Sequence, residues 1–238
     1  MKQLYREGAF LVGSDNVVVQ ELVPGGGETQ FSYAALWRGN APVVEIIARR
    51  ARQYPIEFST STFVEIASND AVADAARKLL SSIGFEGLVE AEFKFDRRDN
   101  AYKVLDVNPR PWSWIGLCEA CGVDMPLLMR DLVLGKVITP GKLNPEYRWI
   151  HVMRDLLAGF QLISRGHMAL GAYLKSLHRR LVFATFAWDD PLPAILELPL
   201  TLYRFLDRRF PAGSARSDFV PHSKAPEFIG KNDVPLAR

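Results

Sequence analysis

The stretch Gly87 to Arg110 constrains this chain most. It reads Gly-Leu-Val-Glu-Ala-Glu-Phe-Lys-Phe-Asp, then Arg-Arg-Asp-Asn, then Ala-Tyr-Lys-Val-Leu-Asp-Val-Asn-Pro-Arg. Two β-rich runs, 87–95 and 101–107, flank the polar segment 96–100, which is the pattern of a hairpin. Side chains alternate along a strand, so Glu90 and Glu92 share a face on the first strand and Asp106 and Asn108 share a face on the second. A turn near 97–100 sets residue 92 opposite 105–107. Glu92 and Asp106 are then neighbours, within reach of one ion. Two carboxylates and an amide oxygen are hard ligands suited to Mg²⁺, with nucleotide phosphates completing its shell. Carboxylates this close repel unless a cation lies between them. Arg110, two residues past Asn108, can bind a phosphate or a developing anion bidentately. Alternating acids also mark the solvated face of an ordinary sheet, and spacing alone leaves both readings open.

The flanking sequence predicts an α+β fold, a largely antiparallel sheet with helices packed on it. Strand-like runs occupy 16–23, 30–37, 42–51 and 62–67, with Gly39-Asn40 suited to a tight hairpin turn. Pro24-Gly25-Gly26-Gly27 ends the first run. The period then changes. Ser68 or Asn69 can cap a helix from Asp70, with Val72, Ala75, Ala76, Leu79 and Leu80 on its apolar face and a stop at Gly84. Short helices are predicted at 113–121 and 125–134, and amphipathic helical segments at 147–163 and 168–181. Residues 191–209 are apolar with prolines at 191, 193 and 199. The tail 211–238, rich in Pro, Ser and charge, reads as flexible.

Other features narrow the field. The 29 basic against 27 acidic residues give +2, too little for a general nucleic-acid surface. The charged start lacks a signal peptide's apolar run, and no run of about 18 apolar residues exists to span a membrane. Cytoplasmic residence is the expectation. The Cys118-Glu119-Ala120-Cys121 motif lacks a second pair or nearby histidine to complete a zinc site, so buried structural thiols are expected. The four histidines are scattered after residue 150. Trp112 and Trp114 read as substrate-lining or as core anchors. Arg179-Arg180 and Arg208-Arg209 flank apolar segments, a minor argument for a membrane-surface scaffold.

Asp106-Val107-Asn108-Pro109-Arg110, preceded by Glu92 on the adjoining strand, resembles the distal half of the ATP-grasp superfamily, whose signature is an acid followed by acid-x-Asn-x-Arg. Gln20-Glu21-Leu22-Val23-Pro24-Gly25 is similar to that family's adenine-binding hinge. Gly116–Gly135 resembles the helices that follow the signature in the carboxylate–amine ligase branch, which is close to carbamoyl-phosphate synthase. These ordered matches cover about residues 10–136.

The resemblance implies an ATP-grasp C-terminal subdomain over 1–136, an α-helical extension over 137–210 and the tail beyond. It implies ATP and Mg²⁺ as cofactors. Glu21 and Val23 would bond the adenine edge through their backbone, and Leu22 and Val23 would pack on its face. Gln20 takes the place of an acid facing the adenine amino group. Glu28 matches the ribose-binding glutamate to within one position of register. Glu92, Asp106 and Asn108 would hold Mg²⁺, although Asp106 is shorter than the glutamate more often found there. Arg110 would stabilise the acyl-phosphate transition state, and Arg50 or Arg52 would meet the phosphate or the carboxylate. The implied substrates are a small-molecule carboxylate and an amine.

Only 19 residues precede Gln20, and Lys2 is their sole lysine. The family's lysine strand and glycine-rich loop over the phosphates are therefore expected to be absent. This predicts an N-terminally truncated enzyme with weak or no activity alone. A homo-oligomer or a partner chain would supply the missing half. The alternative is a non-catalytic ATP-grasp-like subunit or remnant acting by protein association.

Overall fold

A computed structural model describes residues 20–56 and 60–209. One sheet of seven strands organises the first compact unit, which runs to Ala194. The strands are β1 (Gln30–Arg38), β2 (Ala41–Tyr54), β3 (Thr60–Ala67), β4 (Gly87–Asp96), β5 (Ala101–Asn108), β6 (Tyr147–Ile150) and β7 (Arg180–Phe183). Their order is β5-β4-β1-β2-β3-β6-β7, antiparallel throughout except for the parallel pair β6–β7. The helices of this unit are α1 (Asp70–Ser82), α2 (Ile115–Ala120), α3 (Met125–Val133), α4 (Val152–Ser164) and α5 (Leu170–Leu177). The α+β class and the largely antiparallel sheet are as expected.

Local chemistry explains the elements that the sequence predicts well. Gly39 and Asn40 both take positive φ, +60° and +63°, as a tight turn between β1 and β2 requires. Asn69 caps α1, its side-chain oxygen accepting from the Val72 amide at 3.2 Å. The 96–100 turn is closed by Asp96, which is buried and accepts from the Arg98 amide and the Arg98 and Lys103 side chains. Those cations hold its carboxyl well below the usual range.

The sheet is packed on both faces. On one, α1 sets Val72, Ala76 and Leu80 against Tyr33, Ala35, Trp37, Val89 and Phe93. On the other, α2 and α3 bury Leu117, Cys118, Cys121 and Met125 with Trp112 and Trp114 against Ala34, Leu36, Ile46 and Val64. Each fully buried aliphatic side chain contributes about 1.5–3 kcal/mol. This settles two open points. Both tryptophans are core residues, and both cysteines are buried, unbridged thiols whose pKa burial raises.

Three expectations are corrected. Residues 20–23 are irregular rather than the end of a strand, and 16–19 lie outside the described residues. The segment 147–163 begins as a strand: Tyr147–Ile150 pairs with β3, Phe63 opposite Ile150, and Trp149 is buried. The segment 168–181 is helical only over Leu170–Leu177, and from Arg180 it pairs with β6. In both places open backbone groups at the sheet edge capture four residues that include β-branched and aromatic ones, Tyr147, Trp149 and Ile150 in β6 and Val182 and Phe183 in β7.

From Ile195 a second unit begins. Its described part is the end of α6 (Leu192–Arg209), an 18-residue helix with Pro199 inside. The predicted tail 211–238 lies outside the described residues. No helix among them is long and apolar enough to cross a membrane.

Candidate functional site

The β4–β5 hairpin places the acids as the alternation argument requires. Glu92 stands opposite Asp106 and Glu90 opposite Asn108. The register skips Leu105, so a bulge on β5 sits beside the Glu92–Asp106 pair and leaves the Leu105 carbonyl to accept from the Gln20 side-chain amide at 3.2 Å. Next to β4, Ser32 of β1 lies opposite Glu92. From β2, the Arg50 guanidinium forms an ion pair with Glu92; from β1, Gln30 Nε2 donates to the other Glu92 oxygen at 3.3 Å. Glu90 accepts from the Trp114 indole at 2.8 Å.

This cluster has unspent capacity. Ser32 Oγ and Arg50 Nε are buried and have no hydrogen-bond partner among the described residues. Burial pushes the Glu92 carboxyl pKa up, Glu90 and Asp106 add to the rise, and Arg50 opposes it. Asp106 is exposed, its Oδ1 accepting from the Val107 amide at 2.9 Å. Asn108 Oδ1 accepts from Arg110 at 3.0 Å, and Arg110 also donates to the Pro111 carbonyl at 3.3 Å. Among the described residues no three His, Cys, Asp or Glu side chains are grouped to enclose a metal. The donor set here is two carboxylates and an amide at the open edge of the hairpin. It fits a cation that brings oxygen ligands of its own, as Mg²⁺ does with phosphates.

The two candidate arginines of β2 part company. Arg52 is buried and forks onto Asp155 of α4, with both bonds at 2.8 Å. Its third nitrogen donates to Ser176 at 2.9 Å, and its guanidinium stacks on the Phe63 and Tyr173 rings. Asp155 also accepts from Thr62 and Tyr173. Asp155 carries no local motif, and an acid on an apolar helix face is the only sequence sign of it.

The segment 20–28 is tied to the acidic strand, because Lys94 Nζ donates to the Gly25 carbonyl at 2.7 Å. Val23 is buried and Leu22 is exposed. Glu28 accepts from the Gly26 amide at 3.3 Å. Leu22, Val23 and Glu28 line a cavity of about 710 Å³ whose floor is the end of β2 and whose far wall is the α4–α5 turn. Gln20 and Glu21 do not line it: Gln20 turns to β5, and Glu21 pairs with Arg98 at 2.7 Å. Ser32, Gln30 and the far wall escaped the sequence reading. The first two were readable only from the β1–β4 pairing, and the far wall lies more than 130 residues from residues 22–28.

No curated protein matches the chain. Among solved structures, biotin carboxylase from Campylobacter jejuni is 15% identical with a TM-score of 0.47, over 60% of this chain and 33% of that one. The T882A pyruvate carboxylase of Rhizobium etli with acetyl coenzyme A is 19% identical with a TM-score of 0.46, over 60% and 13%. N5-carboxyaminoimidazole synthetase from Staphylococcus aureus complexed with ADP is 20% identical with a TM-score of 0.34, over 46% and 30%. The chain thus spans a third or less of the length of each. A family model matches residues 26–153, more than half of the 238. The chain belongs to the family described as ATP-grasp in the biosynthetic pathway with Ter operon.

Proposed function

We propose that the chain binds Mg²⁺-ATP and takes part in activating a small-molecule carboxylate for attack by an amine. The observation that carries this reading is the direct Glu92–Asp106 pairing with Arg50 on Glu92. Glu92, Asp106 and Asn108 would hold Mg²⁺, which when bound neutralises phosphate charge and orients the chain of phosphates. Leu22 and Val23 pack on the adenine, and Glu28 meets the ribose. Glu92 cannot serve a cation and Arg50 fully at once. Nucleotide binding therefore draws Glu92 away and turns the Arg50 guanidinium, with its unspent Nε, toward an anion. Arg50 and Arg110 then face the charge that builds up when a carboxylate oxygen attacks the γ-phosphorus and ADP leaves. The amine nitrogen next attacks the acyl carbon and inorganic phosphate departs. Arg52 holds α4 and α5 in place rather than meeting substrate.

Isothermal titration of the full chain with ATP tests the reading. Binding is expected with Mg²⁺ and lost with EDTA or in Glu92→Ala. A folded chain that binds no ATP under any condition would refute it and favour a non-catalytic subunit acting by association.

A further inference from the structure

We propose that the end of α4 and the turn after it, residues 162–168, form the second wall of a nucleoside pocket, with Leu162 and Met168 closing on the base opposite Leu22 and Val23. This deepens the ATP-binding reading and rests on it. These residues lie beyond the 26–153 span that matches the family.

The cavity joins the two walls in one space of about 710 Å³, within the range of small-molecule sites. Its floor is Ala51 and Gln53 of β2. The glycine loop is drawn tightly onto that floor: a Cβ on Gly27 would lie 3.2 Å from the Gln53 side chain. The far wall is anchored as firmly. Asp155 fixes α4 to Arg52, the Tyr173 ring fills the space a side chain on Gly159 would take, and the His167 amide closes the turn on the Leu162 carbonyl at 2.8 Å.

The lining also selects the ligand class. Arg52 reaches the cavity with every nitrogen already bonded, and Arg165 has an interaction of its own. Glu28 contributes a negative charge. Such a space disfavours phosphates and suits a neutral aromatic base between apolar plates, with Glu28 near a ribose diol. Met168 offers a polarisable sulfur to a ring face. The phosphates belong on the Arg50–Glu92 side.

Two readouts on the full chain test this. Removing either apolar plate should weaken Mg²⁺-ATP about tenfold, the effect of baring one buried side chain. Met168→Ala and Leu162→Ala should both show this by calorimetry, with melting temperatures near wild type. Photolabelling of the unmodified chain with 8-azido-ATP needs no variant to fold. It should mark the tryptic peptide Gly166–Lys175 and be competed by ATP. Wild-type affinity in both variants, or label confined to hinge and hairpin peptides, overturns the proposal while leaving ATP binding intact. A wild-type chain that binds no ATP overturns the proposal and the ATP-binding reading together.

Discussion

Arg50 and Arg52 sit two residues apart on one strand and each holds a carboxylate, yet the two pairs are built to opposite ends. Arg52–Asp155 is closed. Every guanidinium nitrogen has an acceptor, two rings cover its faces, and Thr62 and Tyr173 complete the carboxylate. Arg50–Glu92 is open. One arginine nitrogen and the neighbouring Ser32 hydroxyl are buried without partners among the described residues, and Glu92 faces a second acid across the hairpin. A saturated pair is a structural joint. An unsaturated one beside an exposed acid keeps buried hydrogen-bonding capacity unspent among the described residues, and the proposed nucleotide site draws on it.

Breaking the closed pair should have the largest effect. Asp155→Ala leaves the buried Arg52 charge without its counter-ion and should cost about 3–5 kcal/mol in urea denaturation. Replacing both residues with apolar ones of similar size, Arg52→Met with Asp155→Leu, should recover much of that loss. No recovery would mean that the pair does more than join elements.

Breaking the open pair should show mainly in binding. Arg50→Met is expected to weaken Mg²⁺-ATP by about tenfold or more, a charge-assisted contact being worth about 1.5–3 kcal/mol. Calorimetry on the full chain measures it.

The open pair should also carry a pH signature. Burial raises the folded Glu92 pKa above the usual 4.5, so folding favours the protonated carboxyl. The contribution of this group is complete below the unfolded value and is lost as pH rises through the folded one. Glu92→Gln is neutral throughout. Its melting temperature should therefore gain on wild type as pH climbs from 4 to 8 without ligand. A constant difference would show that Glu92 does not titrate as its burial implies.

The smallest effect should come from Arg77, which reaches Glu45 on the opposite face of the sheet with a half-exposed side chain. Arg77→Ala should change stability by less than about 1 kcal/mol.

The same contrast marks what the sequence makes legible. The acidic hairpin depends on contacts within about twenty residues, and alternation plus a turn suffice to pair Glu92 with Asp106. Helix α1 is equally local: Asn69 caps it and its apolar face repeats at helical spacing. Tyr147–Ile150 is different. It has amphipathic neighbours and becomes a strand because β3 offers an open edge, which no local pattern announces. Asp155 acquires its role from Arg52 and Thr62, about a hundred residues away. The separation of Arg50 from Arg52 is of this kind too, since both occupy the same basic stretch and only the fold gives one of them Asp155.

The central claim is that the β4–β5 acids hold the divalent cation of a bound nucleotide. Electron paramagnetic resonance of Mn²⁺, used in place of Mg²⁺ and titrated into the full chain with ATP, tests it most directly. The account predicts a ternary Mn²⁺–ATP–protein signal whose affinity falls about tenfold or more in Asp106→Ala, with the fold unchanged because Asp106 is exposed. Equal Mn²⁺ affinity in wild type and Asp106→Ala would contradict it.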